Sequence, residues 1–472
     1  MKSMPDVAEV PAQDGQLAGK EGGKLTAELA NFAVETKGSD IPKKALETAK
    51  ILVLDTVGVA LAAAPLPVGR IITQYALDAG GSPVATILGG GAKATALMAA
   101  LANGTLSNAL DFNESSHIAT HTLPAVLAVA EQNGLSGRDV LEAFAIGFET
   151  GIRITQAFDG ARTRNGGPTY RGWWHVGVLG PLAATIAVSR LLRLDAQRTA
   201  MAIGIASCSV GGFRRNMGTM AKAMHSGNAA SAGIQAALLA NRGFTADPAI
   251  MESPLGFLST LCQSGERDDA AISQRLGRPY ALADKPRIKP FPSCAMSHQG
   301  IDAALAIRAQ APFEVEDIET IEADLHLFSL LRPDAPSEDA AGFSAAYLIS
   351  AALVEGSIGV EQLGPPVLHD PRIRALMKRV KQVPGREREY GPEQLTVRLK
   401  NGKVLSVEID SMRNLTTTDD IERKYRACAT RVVSESAAEE LRDLILGLDR
   451  LPNLDRLMLL AGGSPRAERP HS

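Results

Sequence analysis

At 472 residues the chain is longer than one simple core requires, so two domains are expected, one of them dominant. A hydrophobic share of 45% with 21% charged residues is ordinary for a globular protein, and a formal net charge of −3 provides no basic footprint for nucleic acid. Aromatics make up only 4% while Ala and Gly abound, a mix that favours closely packed helices over a large β-sandwich.

Residues 1–24 are polar and Gly-rich with no apolar core, so neither a signal peptide nor a membrane anchor is expected there, and a disordered tail is. From 25 to 274 apolar residues recur at three and four, so a large all-helical domain is expected. "PKKALETAKILVLDTVGVALA" starts with Pro42, suited to a first helical turn. Its continuation is the most apolar run of the chain, but Asp55 and Pro65 interrupt it within a membrane-spanning length, so it reads as a buried helix. Ser136 with Asp139 predicts an acidic variant of the capping box, and Asp195 a second N-cap on a helix that stops at Gly211 and Gly212. In "HSGNAASAGIQAALLANRGF" the small residues Gly227, Ala230 and Ser231 allow neighbouring backbones to approach.

Periodicity changes after about 275. "IETIEADLHLFS" alternates as a strand does, and "QLTVRLKNGKVLSVEID" reads as a hairpin with a type I′ turn at Asn401-Gly402. Helical spacing returns at "AAEELRDLILGLDRLPNLDRLMLL". The expected organisation is a mainly α protein: the helical domain, an inserted smaller α/β lid domain over 275–412, helices over 413–462 returning to the first domain, and a disordered tail over 463–472. Cys208, Cys262, Cys294 and Cys428 form no CxxC pair, which argues against a disulfide framework or zinc knuckle and suggests a cytoplasmic protein.

Walker A and GxSxG sequences are absent, and "GGGAKA" lacks the strand-turn-helix setting of a dinucleotide fingerprint. Four polar islands remain in apolar surroundings: "LDFNESSHIATH", "YRGWWHVGVLG", "FRRNMGTMAKAMHSG" and "RIKPFPSCAMSHQG". Each couples a potential proton carrier to small residues or a helix end, and acid/base catalysis requires such groups to converge within hydrogen-bond reach.

The four islands, in this order, resemble the MmgE/PrpD family of 2-methylcitrate dehydratases, cis-aconitate decarboxylases and iminodisuccinate epimerases. "NGTLSNALDFNE", "GFLSTL", "DPRIRALMKRV" and "YRACA" followed by "LDRLPNLDRLM" extend the resemblance over about residues 25 to 462. It implies a large helical domain with an α/β lid, a homodimer, a small polycarboxylate substrate, and no metal or organic cofactor. It also implies catalytic roles for Asp111, His121, His175, Lys222, Lys289 and Tyr347. Ser115 stands where decarboxylases carry threonine, and Ala223 replaces the proline usual after the first lysine. Cys294 stands where aconitate decarboxylases place a histidine, with His298 four residues further on.

These residue types suit chemistry beside a carboxylate. Proton removal there creates an enediolate-like dianion, which Lys222 and Lys289 could face while Arg214 or Arg215 holds a substrate carboxylate. His121 or His175 could move the proton, with Asp111 orienting the histidine or acting as partner base. Ser115, Cys294 and His298 are assigned to the lining of the substrate site. His117 and His121, four apart, could also be zinc ligands, but no HExxH frame exists and no metal is expected, so His117 is read as structural. Within the class, dehydratase-type elimination is read first, epimerisation second and decarboxylation third, because of Cys294. A metal-dependent hydrolase and a non-catalytic binding protein are the readings from other classes.

Overall fold

The computed structural model describes residues 24–159, 168–169, 171–284, 287–310, 312–325, 332–383 and 391–463. The terminal tails of the sequence reading lie outside them but for Lys24 and Gly463. The fold is mainly α, with two small sheets among the described residues. Helices α1 (Leu25–Glu35), α2 (Lys43–Ala63), α3 (Pro67–Asp78), α4 (Ala96–Ala109), α5 (Ala119–Asn133), α6 (Gly137–Phe158), α7 (His175–Leu191), α8 (Ala196–Ala206) and α9 (Met220–Asn241) form the first part. A two-stranded ribbon, β1 (Ala85–Thr86) with β2 (Lys93–Ala94), lies between α3 and α4.

Local chemistry explains the helix ends. Ser136 and Asp139 make the capping box their spacing predicts, and Asp195 accepts from Arg198 N at 2.7 Å. Pro42 sits at the N-cap of α2 rather than inside its first turn. Helix α8 ends at Ala206, ahead of the glycine pair, because Gly211 and Gly212 are used elsewhere: Gly211 N donates to Gly177 O, and Gly212 O accepts from Trp174 N, seating both under the start of α7.

The centre of the helical part is the contact of α4 with α9, joined by α5 and α7. It is closer than side chains permit. A Cβ on Gly227 would stand 2.2 Å from Leu101 O, and one on Gly104 2.8 Å from the Cα of Gly227. These two glycines let the backbones touch, and so bring the C-terminal end of α4 beside the N-terminal end of α9. Helix α2 is buried almost all round; no single helix among the described residues is long and apolar enough to cross a membrane.

Short helices α10 (Phe257–Leu261) and α11 (Ala270–Ser273) precede the crossing to the second part. Glu149 of α6 accepts from Gly277 N at 2.8 Å and Ala281 N at 2.5 Å, while Arg153 donates to Pro279 O, so α6 pins the departing chain. Beyond it come α12 (His298–Gln310), β3 (Ile318–Asp324), α13 (Glu338–Ala341), α14 (Ala345–Glu355), α15 (Pro365–Leu368), α16 (Pro371–Met377), β4 (Val380–Gln382), β5 (Glu393–Leu399) and β6 (Val404–Ile409). The sheet order is β4-β3-β5-β6, with β3 parallel to β4 and antiparallel to β5; α12 packs on β5, β6 and α14.

The β5–β6 turn differs from the expected type I′. Gly402 N donates to Leu399 O and only Gly402 is left-handed (φ +86°), whereas a type I′ turn needs positive φ at both central residues. Asn401 instead accepts from Lys403 N through its side chain. Helices α17 (Thr418–Ala429), α18 (Glu435–Leu446) and α19 (Asp455–Gly462) follow, with α17 and α18 packing on α2.

Candidate active site

Helix α4 ends at Ala109, and the next eight residues make a tight loop in which Asp111 (φ +49°) and His117 (φ +61°) are both left-handed. That conformation costs non-glycine residues about 1–2 kcal/mol each, so the surroundings must enforce it. Glu114 is one enforcer. Its buried carboxylate accepts from Ser116 N and Oγ, each at 2.6 Å, and from Ala119 N at 3.1 Å, which closes the loop onto the start of α5.

The loop presents the Asp111 carboxylate to two buried ammoniums. Lys222, from the first turn of α9, ion-pairs with Oδ1, and Lys289 lies 3.0 Å from Oδ2. Lys222 also donates to Asn108 Oδ1 at 2.7 Å; Lys289 donates to Asp111 O at 2.8 Å and Ser293 O at 3.3 Å. Asn108 Nδ2 in turn donates to Ser226 Oγ (2.7 Å), which meets Thr120 Oγ1 at 2.8 Å, so α4, α5 and α9 are joined by one polar chain. Lys222 lies 5.9 Å from the Trp174 ring and 5.7 Å from that of Phe343.

One histidine borders this cluster, and two more follow behind it. His117 Nε2 is 3.5 Å from Asp111 Oδ1, while its Nδ1 faces the Asn113 side chain. His175 opens α7, its ring 6.1 Å from His117 and 4.5 Å from Trp174. His121 lies on α5 against Gly180 of α7, where a Cβ would come within 3.2 Å of its Cγ. Both of its ring nitrogens are buried with no hydrogen-bond partner among the described residues. An unpaired buried imidazole is costly, which sets His121 apart from His117, whose ring nitrogens both face polar partners.

Burial alone would raise the Asp111 carboxyl, but Lys222 and Lys289 override it and hold the group well below the usual carboxylate range. Burial lowers Lys222, with Asp111 opposing and Lys289 adding to the fall. Burial, then the two lysines, pushes His117 well below its ordinary value; burial, then His175, takes His121 down to about 3. Two ammoniums against one carboxylate, with His117 and His121 held neutral, leave a buried site with excess positive charge that suits a polyanion.

The remaining expected residues divide. Cys294 lies close enough for its charge to couple with Asp111, Lys289 and Lys222, and burial pushes its thiol up. His298 is fully buried behind Lys289, 3.3 Å from Ser293 O and edge-on to Phe291. Ser115 spends its hydroxyl on Arg287 O at 3.1 Å, tying the loop to the chain that carries Lys289. Arg214 donates to Thr169 O at 3.2 Å, and Arg215 is exposed. Tyr347 is not brought to the cluster. Its hydroxyl donates to Gln362 O, and the charges around it are Glu355, Arg374 and Asp370.

Sequence reasoning set His117 aside as structural, yet its ring is the one beside Asp111. It also missed Asn108 and Trp174; a lone amide among apolar residues just before "LDF" was the available signal for Asn108. Asp111, His117 and His121 do not form a metal-donor set, and among the described residues no group of three or more His, Cys, Asp or Glu does. Elsewhere a cavity of about 780 Å³ reaches Leu110, Met220, Gly342 and Phe343, residues that adjoin the cluster.

Comparison with known proteins adds an independent line. The chain is 27% identical to a cis-aconitate decarboxylase of Aspergillus terreus, covering 92% of this chain and 95% of that protein. It is also 27% identical to the cis-aconitate decarboxylase of Homo sapiens (93% and 95%) and 26% to that of Mus musculus (93% and 93%). Residues 27–269 match the MmgE/PrpD N-terminal domain and residues 291–450 the MmgE/PrpD C-terminal domain. The chain therefore belongs to the MmgE/PrpD family.

Proposed function

We propose that this chain is a lyase that acts on a small di- or tricarboxylate by proton transfer at the carbon next to a carboxylate, using no metal or organic cofactor. The observation that carries the reading is the buried Asp111 carboxylate clamped between Lys222 and Lys289 with His117 alongside. A polycarboxylate entering this site meets excess positive charge. When a C–H or C–CO₂ bond breaks, the electron pair left on carbon delocalises into the neighbouring carboxylate, and the two ammoniums face the dianion that results. Neutral imidazoles at His117 and His121 are free to accept a proton, and the negative charge of bound substrate raises their basicity from its depressed level.

Decarboxylation of a cis-aconitate-type substrate is the branch favoured by near-full-length similarity to proteins bearing that name. Here CO₂ leaves, the electron pair stays on the substrate, and the Lys222 ammonium supplies the proton to carbon. Elimination of water is the second reading, and Cys294 favours it. A thiol pushed up by burial is a poor proton donor at the position where the resemblance gives decarboxylases a histidine. A cytoplasmic homodimer completes the proposal, tested by light scattering on the purified protein and by cell fractionation.

The test is proton NMR in D₂O of EDTA-treated protein with cis-aconitate, citrate, 2-methylcitrate and iminodisuccinate. Deuterium next to a carboxylate, lost in Lys222→Ala and His121→Ala, supports the reading, and the products separate the branches: carbon loss, a new alkene, or an altered stereocentre. Turnover that appears only when zinc is restored would refute it.

A further inference from the structure

Beneath the Asp111 cluster lies a second buried ion pair that the chemistry above does not use. Asp55, the charge that interrupts the apolar run of α2, meets Lys424 of α17 at 2.6 Å. Their side chains are 0% and 5% exposed. Such a pair adds little net stability, since the desolvation of both charges offsets their attraction. Its geometry is more informative. The Lys424 ammonium donates to Phe112 O at 2.5 Å and lies 4.0 Å over the Phe112 ring. Consecutive carbonyls of the loop are therefore each held by a buried lysine, Asp111 O by Lys289 and Phe112 O by Lys424, immediately after the left-handed Asp111. The Asp55 side chain itself reaches no loop atom by hydrogen bond; burial pushes its carboxyl up while Lys424, and more distantly Lys289, pull it back, so its one close partner among the described residues is Lys424.

We infer that Lys424, with Asp55 as counter-ion, is a positioning residue that locks the peptide after Asp111, so that the left-handed turn offers its carboxylate to Lys222 and Lys289 together. The role links the C-terminal helices to the active-site loop through one hydrogen bond. The contacts of Lys424 are to Asp55 and to the backbone and ring of Phe112, so its route to the reacting groups runs through the peptide that follows Asp111. The kinetic part of this inference rests on the lyase reading; the structural part does not.

Lys424→Met keeps the stem volume and removes the N–H. Asp55→Asn with Lys424→Met also removes the carboxylate that the single change strands, and so remains informative if the single variant does not fold. In the D₂O assay kcat is expected to fall about 10²-fold in the folded variant, as for a displacement of about 1 Å at the reacting groups, while KM changes far less. A crystal structure should show Asp111 out of the left-handed region, with its contact to Lys289 lengthened. Wild-type kcat, or equal changes in kcat/KM through KM alone, would overturn the inference, as would an undisturbed Asp111 in the variant structure. Silence of the wild-type protein on every substrate would fail the lyase reading instead, leaving the Asp111 conformation to decide this one.

Discussion

Replacing Lys222 by methionine tests the charge cluster most directly. Methionine fills the stem volume but leaves the Asp111 carboxylate with Lys289 alone, at 3.0 Å, and strips Asn108 Oδ1 of its 2.7 Å donor. A preorganised donor facing charge that develops in the transition state is worth about 10²–10³ in kcat, or about 2.7–4 kcal/mol. The stability cost is a separate quantity. Stranding a buried charge outright costs about 3–5 kcal/mol, but Lys289 remains in place, so the loss should be nearer the roughly 1–3 kcal/mol of an unsatisfied buried polar group. Single-turnover kinetics with the active substrate, alongside urea denaturation, read the two independently. Lys222→Met that folds and retains kcat within about threefold of wild type would refute the role assigned to this ammonium, since that corresponds to under 1 kcal/mol of transition-state stabilisation.

Tyr347→Phe should leave kcat almost unchanged while costing about 1–3 kcal/mol in stability, because it strands Gln362 O rather than a reacting group; a large fall in kcat would return Tyr347 to the site. His121, held neutral with its pKa down at about 3, binds one proton fewer when folded than when unfolded between pH 3 and about 6.5. Stability is therefore complete above that window and declines as pH falls through it, by about 1.6 kcal/mol between pH 6.5 and 5 from this group alone. His121→Gln should flatten the curve by that amount in urea titrations at the two pH values, and parallel curves would contradict it. Gly227→Ala places a methyl group 2.2 Å from Leu101 O and should force α4 from α9, costing about 1–3 kcal/mol and displacing Lys222 from Asp111; a Tm equal to wild type would show that the contact yields freely.

Much of this was legible in the residues. Helical spacing, the Ser136 and Asp195 caps and the alternation over 394–410 and the described part of 318–329 are local rules that the structure follows, residues 326–329 lying outside the described residues. The hairpin turn was misread because Asn-Gly serves two turn geometries, and only the left-handed state of Gly402 alone separates them. Asp111, Lys222 and Lys289 lay in the polar islands and were singled out by the family resemblance, though their convergence from three distant segments is a tertiary fact. His117 escaped because its proximity to Asp111 depends on a left-handed turn at both residues, which no periodicity encodes. Asp55 was visible as an intrusion into α2, but its partner lies 369 positions away in the chain numbering.

The backbone pairing of Ile288 with both Glu114 and Leu415 has a mechanical consequence. The active-site loop, the segment leading out of the helical part and the one leading back are sewn side by side, one residue before Lys289. Lys289 follows directly on this seam, so the chain itself, and not only the ammonium's own contacts, fixes it against the Asp111 loop. The positive charge beside Asp111 is thus anchored where three distant segments of the chain meet.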